Sequence, residues 1–447
     1  MNTSTFNILI ILALLTNVYS ENWPAWRGPT GNGISKHVDF PSNFSNTKNV
    51  LWKKELPGVG SSTPAIWGDK IFVTSAIESR DGVTCFSKSG DALWSKTFGV
   101  ERGGKHKNGS GSNPSPVTDG RNLFVYYKSG TLASLSLEGK KIWEINLQEE
   151  FGKDTLWWDL GTSPVLTSKF VVVAVMQEYE GGDPAKSQDS YLVAYSKDSG
   201  KMVWKTNRTY KVKSETGQSY TTPLVVVKDD KEMIITFGSD HLTGHSAEDG
   251  KLVWDCGGYN PSDKAMWRVI ASPSISDGIV VVPYGRKGHF AAVKADGKGD
   301  ITKTNRLWTK NVGADVPSPI AHDGKAYLIT DRGHIHCFDL ENGEEIWDQK
   351  LPRSSASYYS SPIIAGQRMV LAREDGVVMV MKLLDGGFEL LSENKMNERL
   401  IASPIPIGDK LYLRGQKHLF CFGWLNQRVV QHIFSNFKII VFKHYFS

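Results

Sequence analysis

The sequence predicts an all-β protein, an eight-bladed β-propeller of four-stranded antiparallel blades closed by its N-terminal strand. Three observations predict it. A Ser/Thr-Pro dipeptide recurs at Thr63-Pro64, Ser115-Pro116, Ser163-Pro164, Thr222-Pro223, Ser272-Pro273, Ser318-Pro319, Ser361-Pro362 and Ser403-Pro404. Successive prolines lie 52, 48, 59, 50, 46, 43 and 42 residues apart, the spacing of propeller blades. A tryptophan recurs at Trp52, Trp94, Trp143, Trp204, Trp254, Trp308 and Trp347, with the eighth place falling near Phe388-Glu389-Leu390-Leu391. The stretches between these markers are short apolar runs cut by turn residues.

Residues 318–347 show one unit. Ser318-Pro319 opens an apolar strand, and Asp323-Gly324 supplies a turn that tolerates positive φ. Residues 326–330 form a second strand, Arg332-Gly333 turn, residues 334–339 alternate into a third, and Asn342-Gly343 turn before Trp347. Four short strands of this kind make a twisted antiparallel sheet. Such a sheet cannot bury both faces alone and must stack on copies of itself.

The phase of the markers predicts how the ring closes. Trp52 precedes the first Ser/Thr-Pro, and no such tryptophan follows the last. Residues 50–56 are therefore a spare fourth strand, and the repeat opened by Ser403 lacks one. Donating the first to the second removes two exposed sheet edges.

The chain has 447 residues, which a single ring can hold. Residues 1–20 read as a secretory signal, with an apolar run at 8–15 and Val18-Tyr19-Ser20 at the cleavage positions. That run is too short to span a bilayer, so an exported, periplasmic or secreted protein without a transmembrane segment is expected. Residues 21–49 form an arm too rich in Gly and Pro for regular structure, and Trp23, Trp26 and Phe40 predict that it packs on the ring. A free partner-binding arm is the alternative. Residues 424–447 carry no repeat signal and lie outside the blade plan.

The four cysteines do not make a disulfide framework. Aligned on the following turn, Cys85, Ser134, Ala194, Gly244, Ala292, Cys337, Val380 and Cys421 share one third-strand site, a small buried packing position. Cys256 is off this register. The net charge of +5 falls partly in the tail, and no continuous basic stripe argues for nucleic acid. Nothing in the composition demands an oligomer, and a monomer is expected.

Candidate chemistry is sparse. Gly244-His245-Ser246-Ala247-Glu248 approaches a nucleophile elbow, but Glu248 replaces the second Gly and no helix follows. His334 and His336 share a strand face without a third ligand in register. Asp296 and Asp300 sit in one of many Asp-Gly turns.

The informative variation lies just before each Ser/Thr-Pro, where residues should line one mouth of the channel. There stand Trp157, Trp158 and Asp159, then Gln218 and Tyr220, Trp267 and Arg268, Asp315, Tyr358 and Tyr359, and Arg399. Aromatic groups with a few charges converging on a funnel suit a small polar or sugar-like ligand, or a peptide of a protein partner. The same groups can equally pair with one another and plug the channel.

The start Trp23-Pro24-Ala25-Trp26-Arg27-Gly28-Pro29, the Ser/Thr-Pro strands and the endings Asp198 to Trp204 and Asp249 to Trp254 resemble the pyrroloquinoline-quinone-like β-propeller repeat proteins. That superfamily includes the outer-membrane assembly factor BamB and the quinoprotein dehydrogenases. The insertion at residues 297–302 resembles one in exported bacterial members. The resemblance covers about residues 21–423 and implies the fold, which serves many functions. Toward BamB it implies a non-catalytic binding or scaffold protein without cofactor. Toward the dehydrogenases it implies an alcohol or sugar oxidoreductase using pyrroloquinoline quinone and calcium. Against the second, the chain has no two adjacent cysteines to form the disulfide many of those enzymes carry, and no aligned Glu, Asn and Asp to hold the ion.

Overall fold

A computed structural model describes residues 22–36, 39–177 and 189–424. The predicted signal and nearly all of the C-terminal tail lie outside them. Eight sheets follow one another in chain order, each an antiparallel meander running from an inner to an outer strand. Blade 6 is typical, with strands Ile320–His322, Lys325–Ile329, His334–Asp339 and Glu345–Lys350. Blade 8 contributes Ile405–Ile407, Lys410–Arg414 and His418–Phe422, and its fourth strand is the N-terminal Val50–Glu55. The ring is closed as the marker phase predicts.

There is no single central core. Among the described residues the buried apolar side chains form eight clusters, one in each gap between neighbouring blades. In the gap between blades 1 and 2, for example, Phe72 and Val83 meet Leu123, Val125 and Leu135. Middle strands alternate their side chains between the two faces, so each blade supplies both of its gaps. Burying each large aliphatic or aromatic side chain is worth about 1.5–3 kcal/mol.

The recurring tryptophan pins five of the eight gaps by a hydrogen bond, while the buried indole N–H of Trp347 has no partner among the described residues. Trp52, Trp94, Trp143, Trp204 and Trp308 donate their indole N–H to backbone carbonyls of the next blade, those of Lys88, Leu137, Lys197, Ala247 and Leu340. The rings lie flat on the next blade's glycine turn. A Cβ on Gly139, Gly200 or Gly343 would stand 2.6–2.7 Å from the ring. Within its own blade each tryptophan faces the small third-strand site: Cys85 opposes Trp94, Ala194 opposes Trp204, Cys337 opposes Trp347 and Cys421 opposes Trp52. A bulge follows at that point in every blade, and all four cysteines are free and buried.

Two blades depart from the pattern. In blade 4 the segment Gly299–Asp300 adds a fifth strand parallel to Leu252–Cys256. Trp254 there is fully buried beside Gly244, its indole N–H 3.1 Å from Met233 Sδ, instead of reaching the next blade. In blade 7 the tryptophan place is Ser392, opposite Val380, one residue beyond the expected Phe388–Leu391 stretch. The bulge sets that register. Phe40 and Phe44 of the arm fill the space, held by Asn394 Oδ1 to Phe44 N–H at 2.8 Å.

The arm crosses the lower mouth of the ring. Trp23 pairs with Ile66 of blade 1, Asn32 Oδ1 accepts the Ile275 N–H of blade 5, and Ile34–Ser35 adds a parallel strand to blade 7. Arg27, fully buried, donates to the carbonyls of Asn32 and Pro319.

Candidate functional site at the upper channel mouth

The Ser/Thr of each recurring dipeptide has a common task. The N–H of each donates to the hydroxyl of the next: Thr63 to Ser115, Ser115 to Ser163, Ser163 to Thr222, Thr222 to Ser272, Ser272 to Ser318, Ser318 to Ser361, and Ser403 to Thr63, at 2.9–3.1 Å. The Ser361 link to Ser403 is not made, and Ser403 Oγ has no protein partner. A hydroxyl that accepts a backbone N–H still has its own proton to donate. All eight line an axial cavity of about 400 Å3, forming a polar collar.

Below the collar the arm's Trp26 lies between this cavity and a second one of about 200 Å3 against blades 2–4. Above the collar, loops from the connections between blades form the lip. His106 makes an edge contact with Trp158 at 6.1 Å and lies 6.2 Å from Tyr359. Trp157 and Trp158 are 40% and 41% exposed, rare for so large an apolar side chain on a well-packed ring.

The structure brings six of the eleven sequence candidates to the cavity: Trp158, Asp159, Tyr220, Arg268, Asp315 and Tyr359. Most of their polar atoms are already engaged. Asp159 accepts from the backbone N–H groups of Lys105 and His106, each at 2.8 Å, and from Lys128 Nζ at 2.5 Å, with both side chains buried. Tyr220 donates to Gln218 Oε1 at 2.6 Å and accepts from Trp158 N–H at 3.2 Å. Burial pushes its phenol pKa well up, so it stays protonated. Arg268 lies 3.4 Å from both Glu215 and Asp315, and Arg286 reaches Glu215 at 3.3 Å.

The other five candidates stand elsewhere. Gln218 is fully buried and accepts from Trp157 N–H at 3.0 Å, so it clamps the Trp157–Trp158 loop from beneath. Trp157 is exposed and does not line the cavity. Trp267 packs beside His289 and Gly285 of blade 5. Tyr358 is buried between blades 6 and 7 beneath Gly333, where a Cβ would stand 2.6 Å from its ring. Arg399 donates to the Lys107 carbonyl at 2.7 Å and borders a small recess between blades 8 and 1.

Sequence reasoning missed His106, Lys287 and Asp331, which also line the cavity. His106 sits in a Gly-rich loop with no motif to mark it, and the other two lie in turns far from the Ser/Thr-Pro repeat. Asp331 Oδ2 accepts the Asp315 N–H at 2.9 Å, and burial raises its carboxyl pKa. The Ser/Thr-Pro repeat that forms the collar was legible as a blade marker, though not as a ring of hydroxyls.

The residues present do not fit pyrroloquinoline quinone with calcium. Calcium takes six to eight oxygen ligands, largely carboxylates. Here Asp159 is committed to Lys128, Asp315 to Arg268, and Asp331 to backbone. Among the described residues no three His, Cys, Asp or Glu side chains converge on a metal position. The other sequence candidates for chemistry are structural too. Gly244 to Ser246 lie in a third strand, His334 and His336 pair with Asp348 and Glu345, and Asp296 pairs with Lys228.

Comparison with known proteins agrees with this picture. A family model described as outer membrane protein assembly factor BamB matches residues 44–182, 182–302 and 299–418. The BamB of Yersinia pestis is 21% identical over 321 residues, covering 70% of this chain and 73% of the relative. That of Escherichia coli K12 is 24% identical over 302 residues, 66% and 69% of the two chains. In three dimensions, BamB from Moraxella catarrhalis aligns with a TM-score of 0.58 at 14% identity, covering 85% of this chain and 98% of the other. The quinohemoprotein alcohol dehydrogenase of Comamonas testosteroni aligns at 0.64 and 12% identity, covering 91% and 81%, a likeness of fold alone. The chain belongs to the BamB family of PQQ-like repeat β-propellers.

Proposed function

We propose that this protein is an exported, non-catalytic binding propeller that acts as a BamB-like scaffold through the upper face of its ring. The observation that carries the reading is the contrast at the lip. Polar groups are spent on one another, whereas Trp157 and Trp158 stand out to solvent on a loop clamped by Gln218 and Tyr220. Rigid exposed aromatics beside a hollow are the anchors from which protein recognition is built. Among the described residues that line the cavity, Asp159 and Asp315 are spent on ion pairs with Lys128 and Arg268.

The occupant of the face is a protein partner, with a segment of it, or a small polar or sugar-like ligand, reaching the collar hydroxyls. The protein works outside the cytoplasm, at the cell envelope. Among the described residues no helix is long and apolar enough to cross a membrane. Family membership supports the scaffold role, because the matching relatives are named as outer membrane protein assembly factors.

Deleting the gene in its own host and measuring the envelope abundance of β-barrel outer-membrane proteins tests the role. The proposal expects them to fall, and unchanged levels would contradict it. Purified protein given pyrroloquinoline quinone and calcium should reduce no dye with alcohols or sugars. Turnover in that assay would restore the dehydrogenase alternative.

A further inference from the structure

We propose that the seam between blades 8 and 1 is a binding site for one halide-sized anion, chloride in the cell, gripped by Arg414. Arg414 ends the second strand of blade 8 and is 1% exposed. Its Nη1 donates to the Ser62 carbonyl at 2.9 Å and to Ser62 Oγ, so it bridges the last blade to the first. Its Nε and Nη2 have no protein partner. Among the described residues no carboxylate stands within ion-pair distance of it. A guanidinium is among the most costly groups to bury uncompensated.

The space beside it is built for something small. The Arg414 side chain lines a recess of about 20 Å3, room for one small sphere. Its walls include Gly60, Gly109 and Gly415, and Arg399, whose guanidinium donates to the Lys107 carbonyl, borders it. A Cβ on Gly60 would stand 2.3 Å from Arg414 Nη2, so the glycine lets backbone approach the cation closely. No acidic side chain lines the recess. Glu398 stands beside Gly415; its Oε2 accepts from Lys417 N–H and pairs with the His418 ring, and its Oε1 is buried without a hydrogen-bond partner.

Burial lowers the Arg414 pKa to about 9, with no acid to offset it. The group therefore remains charged at neutral pH and still lacks a counter-ion. Two positive side chains around a one-atom hollow select a monovalent anion, since a tetrahedral oxyanion needs more room. The occupant would tighten the junction where the ring closes.

Crystals of the full chain soaked in bromide provide one arm of the test, read by anomalous scattering. Melting in chloride against gluconate at fixed ionic strength provides the other. The proposal expects a bromide peak in contact with Arg414 Nε or Nη2. It also expects Tm to rise by about 1–3 °C between roughly 1 and 100 mM chloride. The neutral variant Arg414→Gln should lose both effects. Should that variant fail to fold, Arg399→Gln keeps the primary ligand and should retain the peak with a weaker chloride response. Water density bridging Arg414 to Glu398, with Tm indifferent to the anion, would overturn the site. A bromide peak without any chloride response would do so too, because it would mark filling at crystal concentration only.

Discussion

Trp308 does at one junction what its counterparts do around the ring: it lies on Gly343, donates to the Leu340 carbonyl and covers the small Ala292 opposite. That pairing explains why three of the four cysteines share a register, for only a small side chain fits under the indole. Burial pushes the thiol pKa of Cys85, Cys337 and Cys421 up to about 12. They should resist iodoacetamide in the native state at pH 8 and react once unfolded, as mass spectrometry would show. Fast native labelling would mean that the blade gaps open. Asp81 is also buried, with its pKa raised to about 7 although it accepts from Ser129 Oγ. A raised acid favours the folded state below about pH 4, and that contribution is lost as pH climbs toward 7. Asp81→Asn should therefore gain about 1–2 kcal/mol at pH 8 and nothing at pH 4, by denaturant titration at both. Equal effects at the two pH values would assign Asp81 another role. The burial of the three cysteines was legible as a shared small third-strand site, whereas that of Asp81 was not, since Asp81-Gly82 reads as one more turn.

The closing strand and the arm are the elements on which the ring depends. Val50–Glu55 pairs with His418–Phe422, and Leu56 N–H continues the ladder to the Lys417 carbonyl. A chain that begins at Gly58 should expose the edge of blade 8 and aggregate, by light scattering. A monodisperse shortened chain with unchanged Tm would refute closure by this strand. The strand was legible because a tryptophan without a blade and a blade without a tryptophan must meet. The place of the arm was not. Its two phenylalanines replace the tryptophan missing from blade 7, and a local pattern cannot show that residues 42 and 392 are neighbours. Restoring the repeat with Ser392→Trp should thus destabilise, by about 1–3 kcal/mol, because the indole would compete with Phe40 and Phe44 for one space. A stabilised variant would show that blade 7 merely lacks its consensus residue.

Across the whole molecule, eight repeats bring residues far apart in sequence to one axis. Counting back from each Ser/Thr-Pro led to one end of the channel, where Trp158, Tyr220, Arg268 and Tyr359 meet at one cavity. It could not tell which of them turn inward. Loop lengths differ between blades, and Tyr358 and Tyr359 point to a core and a cavity respectively although they are adjacent. Trp26 of the arm lines the cavity at its lower end, and the exposed Trp158 stands at the upper face.

The account stands on that face being for recognition, and a photo-crosslinking amino acid at position 157 in the living cell tests it most directly. A second probe at position 346, on the outer rim, serves as control. The account predicts a discrete crosslinked partner from 157 and none from 346. It further predicts that Trp158→Ala, at a site 41% exposed, weakens the 157 crosslink while costing the fold less than about 1.5 kcal/mol. Equal crosslinking from both positions, or a loss of stability from Trp158→Ala of about 3–5 kcal/mol like that of a core tryptophan, would contradict it.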